Sequence, residues 1–253
     1  MTEKLNFPEV EALSAQLEAM TRGIRESMKG VIKALEPHIP AIMRALQDYK
    51  VGEELKAAGW LPHDVIPIEL VRDLKGPEEV NRVLENYFTE NWSTVEPQLR
   101  RRYENVGLDN EALATMDEAL RAHGDRLYRC VCRTVFPEID RMARLRYYGP
   151  KGAKGGASLD ELRNQLGEML SWSDFGTHGF WFLHLFEAMM DTCYAHITTD
   201  MNPLENPTRH PNRHAIAHGF VSFSTAKDSM NTLFIADFMF HGINALSEAI
   251  KAT

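Results

Sequence analysis

Between Thr208 and Gly219 the chain reads TRHPNRHAIAHG, which places two arginines and three histidines within twelve residues. An arginine can hold a phosphate through its planar fork of donors. A histidine takes or gives a proton near neutral pH. Cleavage of an RNA phosphodiester needs both. A proton leaves the 2′-hydroxyl, another reaches the leaving 5′-oxygen, and charge on the phosphoryl group between them must be stabilised. Arg213 and His218 are the pair assigned to that chemistry, with Asn212, His214 and Arg209 as flanking contacts for phosphate or ribose. Two other readings stand beside it. Histidines at helical spacing are commonly surface or satisfied core residues. The row His210, His214 and His218 also offers neutral imidazoles to zinc. Phosphate chemistry ranks above both because the arginines attract phosphate and repel a metal cation. No Cys-x2-Cys or His-Glu-x-x-His accompanies the row, so neither a metal nor a cofactor is expected.

The element that must position these groups is a short helix. Proline fits the first turn of a helix and disfavours helical geometry in the residue before it. The helix is therefore expected to begin at Pro211 or Asn212 and to run through His218. Arg213 and His218 would then stand about 140° apart around its axis. They converge if Arg213 sits in a loosely wound first turn, or if two copies meet across a dimer axis.

Elsewhere the signals are helical throughout, and the fold class is all-α. Apolar residues repeat at three and four from Val10 to Leu35, and a second short helix is expected over 39–46. Trp60 to Pro67 reads as a proline-punctuated link. Pro77 opens a helix through Phe88, Ser93 or Thr94 caps another near Pro97, and Asp109 starts a run to Tyr147 with a break near Gly124. Gly149 to Ala157 is a basic glycine-rich loop without the P-loop order. Ser158 begins a capping box, and Phe180 to Ile197 is expected to be a central apolar helix. Thr225 to Asp228 can cap the last helix. The soft boundary at Val106 to Asp109 divides the chain into an N-terminal helical region, 1–106, and a C-terminal bundle, 107–253.

Composition bounds the partners. A length of 253 residues with 44% hydrophobic and 25% charged residues is ordinary for a globular chain with a real core. No long uninterrupted apolar stretch is present, and the first residues lack the basic start and apolar run of a secretory signal. Three cysteines make no disulfide framework. A cytoplasmic protein is expected, with Cys130, Cys132 and Cys193 reduced and serving in packing. The net charge of −8 weighs against tight duplex binding, so long DNA is not an expected partner. Local basic clusters must offset that acidity: Arg100 to Arg102, the row Arg129, Arg133, Arg141, Arg144 and Arg146, and Lys151 with Lys154. Each of them also reads as a solvated face.

The string Arg213-His-Ala-Ile-Ala-His218 resembles the R-x4–6-H motif of the HEPN superfamily. The wider NRHAIAHG is similar to the N-R-H-x-I-x-H-G signature of a bacterial group. That group has a Gly-Trp segment upstream, here Gly59-Trp60-Leu61-Pro62. It also has a helix carrying an alanine-histidine, a tyrosine and acidic residues, here Ala122 and His123 through Tyr128 to Glu138 and Asp140. The resemblance covers roughly the C-terminal half, with a thinner match before it. It implies a small helical bundle that pairs as a homodimer and a metal-independent endoribonuclease that leaves a 2′,3′-cyclic phosphate. It further implies a place in antiviral defence or a toxin–antitoxin pair, and a protein partner that inhibits or activates. The alternative it carries is a non-catalytic interaction or scaffold protein, since many such bundles have lost activity.

Overall fold

The computed structural model describes residues 39–148, 192–195, 197 and 210–252. These are all-α: eight helices and no strand among the described residues. The expected helices over 10–35 and 159–170, most of the one over 180–197, the basic loop at 149–157, Lys151, Lys154 and Arg209 lie outside them. The chain divides into two compact units, Met1–Gln47 and Asp48–Thr253.

Helix α1, Ile39–Ala58, is longer than the segment expected over 39–46. Nothing in its second half stops a helix until Gly59, whose φ of 74° lies in the left-handed region. Trp60 to Pro67 is irregular, as its prolines require, and leads into the single turn α2, Ile68–Val71. Helix α3, Pro77–Glu90, starts on its proline. Helix α4, Trp92–Asn105, begins earlier than expected, and Pro97 lies inside it. Asn91 flanks its start without a side-chain cap, so neither Ser93 nor Thr94 performs that role.

Asp109 does cap α5, Asn110–Gly124: its carboxylate accepts the Ala112 N–H at 2.8 Å. The helix stops at Gly124, where the chain must pass close to Trp92. A Cβ at Gly124 would sit 2.8 Å from Trp92 Nε1. Helix α6, Tyr128–Tyr148, follows, and after the undescribed segment come α7, Arg213–His218, and α8, Ala226–Ala252. The start of α8 is a reciprocal cap. Asp228 accepts the N–H groups of Ser224 and Thr225, while Thr225 Oγ1 accepts the Asp228 N–H.

Helix α8 is the axis of the second unit, packed chiefly on α6 and touching α3, α4 and α5. Every residue from Ser229 to Phe240 is buried. One core joins Leu55, Trp60, Leu84, Leu99, Val106, Leu120, Phe136 and Phe234. Val106 belongs to that core, so the polar turn at Val106 to Asp109 connects two helices of one unit; the core is continuous across the boundary expected there. No described helix is long and apolar enough to cross a membrane.

Polar residues on a buried helix need partners from other elements. Asn231 accepts the Leu61 N–H and donates to the Gly59 carbonyl, fixing the Gly-Trp segment. His123 Nδ1 meets Ser229 Oγ at 2.7 Å beneath Trp92. Asp237 faces His63 and Arg102. Cys132 and Cys193 are buried, and burial pushes each thiol up to about 12, whereas Cys130 is exposed.

Candidate functional site

The motif helix is short and held at both ends. Asn212 caps it, accepting the Ala215 N–H at 2.8 Å, and its amide donates to the Thr192 and Ala195 carbonyls at 2.6 and 3.0 Å. With these bonds made and no exposed surface, Asn212 anchors α7 to the preceding segment and is not open to a ligand. At the other end Gly219 adopts φ 70°, which lets the Phe220 N–H reach the Ala215 carbonyl at 2.9 Å and closes the helix. Ala215 packs with Cys132, Ile197 and Phe223 into a small second core, seating α7 on α6.

Arg213 points to α6. Its Nε and one terminal nitrogen both donate to Asp140 Oδ2, at 2.7 and 2.5 Å. The arginine side chain keeps 38% exposure and the aspartate 21%, so the pair is oriented without being sealed. Asp140 Oδ1 and the Tyr194 hydroxyl are buried polar atoms that no described residue satisfies. Burial first, and then the Asp140 charge, raise the Tyr194 pKa well above the usual range, against the opposing pull of Arg213. Tyr194 therefore remains a protonated phenol beside the ion pair.

His218 ends the helix and is exposed. Its ring lies 4.4 Å from that of His214 and stacks on Phe220 at 5.6 Å with an interplanar angle of 24°. The spacing of four thus brings His214 and His218 together, as one face of a helix must. His210 does not join them. It precedes the helix, is 4% exposed, and its Nδ1 lies 3.3 Å from Thr192 Oγ1. No group of three metal-donor residues is gathered among the described residues. Arg213 and His218 share α7 but leave it in different directions.

Four arginines of the basic clusters are committed elsewhere. Arg100 pairs with Glu96 and Asp117, and Arg102 with Asp237 and Asp64. Arg141 is held by Asp109 and Glu138, and Arg146 donates to the Gly107 carbonyl. Sequence reasoning did not find the roles of Asp140 and Tyr194. The signal available for Asp140 was its place among the acidic residues of the upstream helix; Tyr194 read only as one more apolar position. No family model, curated protein or solved structure matches this chain.

Proposed function

We propose that this protein is a metal-independent endoribonuclease acting on single-stranded RNA. The observation that carries this reading is the pairing, on one doubly capped turn, of an oriented but open guanidinium with an exposed imidazole. Arg213 binds the scissile phosphate and stabilises the charge that develops on it. His218 takes the 2′-hydroxyl proton or delivers one to the 5′-oxygen. The 2′-oxygen then bonds to phosphorus as the bond to the 5′-oxygen breaks, leaving a 2′,3′-cyclic phosphate and a 5′-hydroxyl. His214, whose ring lies 4.4 Å from that of His218, orients the ribose or phosphate. The scissile step must be unpaired or splayed, since an A-form groove admits few side chains.

Purified protein incubated with total RNA is expected to yield fragments with those end groups, undiminished by EDTA. Loss of cleavage on chelation with recovery on zinc would assign the histidines to a metal. Intact RNA under all conditions would favour a non-catalytic interaction module. The Asp140 carboxylate supports that second reading, because it already neutralises the Arg213 charge a phosphate would use.

The divergent directions of Arg213 and His218 suit a cleft completed by a second copy around a twofold axis. Light scattering at micromolar concentration is expected to report a dimer or larger, and a strict monomer would remove the shared cleft.

A further inference from the structure

Helix α6 carries two carboxylates, and arginines hold both: Arg141 takes Glu138 and Arg213 takes Asp140. Three arginines of the same helix, Arg129, Arg133 and Arg144, are exposed and make no ion pair with any described residue. At 100° and 1.5 Å per residue, all three fall within about 40° of Asp140 around the helix and extend over about 22 Å. The row therefore runs along the face from which Asp140 holds Arg213. Arg144 is tied to the same turn, its Nε lying 3.4 Å from the Asp140 carbonyl. Against a net charge of −8, three exposed cations that no described carboxylate pairs stand together on one helix face.

We infer that this arginine face of α6 is the track that binds the phosphates of single-stranded RNA on either side of the cleaved step, a conclusion that rests on the ribonuclease reading above. Guanidinium groups spaced along a helix track a backbone without reading its sequence. The exposed His218 ring stacked on Phe220 adds a flat surface of the kind on which an unpaired base lies. A track of three cations also explains how an acidic protein engages RNA. The bulk of the chain repels the polymer, and one face collects it.

The test uses the full chain and a labelled 2′-O-methyl oligouridine, which lacks the hydroxyl needed for cleavage. Binding is followed by anisotropy across a salt series. Each phosphate contact to a single strand contributes about −0.7 to the slope of log K against log salt. The triple variant Arg129→Gln/Arg133→Gln/Arg144→Gln is expected to weaken binding at least tenfold and to flatten the slope by about 2. A control triple of exposed arginines elsewhere, Arg72→Gln/Arg82→Gln/Arg101→Gln, removes equal charge and is expected to change the slope little. Equal loss in both triples overturns the track, because only net charge would then matter. Polyglutamate that binds through the same arginines as tightly as the oligonucleotide overturns it as well. Cleavage of RNA by a triple variant with unchanged KM and slope defeats the track and leaves the ribonuclease standing. Arginine-dependent binding without any cleavage does the reverse.

Discussion

His218→Ala is expected to lower RNA cleavage by about 10²–10⁴-fold, the usual worth of a positioned proton carrier. The ring is exposed and ends its helix, so its loss shifts stability by only about 0.5 kcal/mol. Arg213→Ala removes one oriented donor to the phosphate, which typically costs about 10²–10³ in rate. Its effect on folding is larger than that of the histidine, because Asp140 loses its partner; a half-exposed ion pair is worth up to about 1 kcal/mol. If both residues serve one transition state, the double variant falls little below the worse single one. Initial cleavage rates and urea midpoints measured on the same preparations separate chemistry from unfolding. Retained cleavage in both single variants, or a loss that follows the midpoint, removes the two residues from catalysis.

What the sequence discloses and what it conceals divide along distance in the chain. Caps are local, and they were legible: Asp109 on Ala112 and Thr225 with Asp228 both depend on residues within a few positions. The motif helix was legible for the same reason, since Pro211, Asn212 and Gly219 bracket it. The burial of α8 was not. Ser229, Asn231, Thr232 and Asp237 are polar yet buried in α8: Leu61 meets Asn231 from 170 residues away and His63 meets Asp237 from 174. Periodicity registers polarity, and it cannot register a partner that distant. The arginine row shows the same limit. Five arginines read alike in sequence, but Arg141 is absorbed by Asp109 and Glu138, and Arg146 by a carbonyl, leaving three to face outward. Asp140 sits 73 residues before Arg213, so the ion pair that orients the site emerges only in the fold.

Asp237 is the position where a small change is expected to unfold the protein. Its carboxylate is 3% exposed and accepts from His63 Nε2 at 3.1 Å and from Arg102 Nε at 2.9 Å. The His63 ring accepts the Val65 N–H through Nδ1 and stacks on Phe234 at 4.3 Å, so the network ties the irregular 60–67 segment to α4 and α8. Burial alone would raise the Asp237 pKa; the bonds from His63 and Arg102 outweigh it and hold the carboxyl down at about 2. Asp237→Ala leaves the Arg102 guanidinium and the His63 Nε2–H facing a cavity, and breaking a buried pair from one side typically costs about 3–5 kcal/mol. The pH dependence distinguishes this network from the buried His123. A depressed folded pKa means that the unfolded chain binds the proton more tightly, so stability is present above the unfolded value and is lost as pH falls. For Asp237 the loss runs from about 4 down to about 2. Burial lowers His123 from 6.5 to about 4, so its loss comes earlier, across that interval. Urea titrations are expected to show that His123→Asn flattens the stability profile between pH 6.5 and 4. Asp237→Asn, by contrast, lowers stability at neutral pH. A neutral-pH midpoint for Asp237→Ala within error of the parent would mean that the carboxylate carries no structural weight.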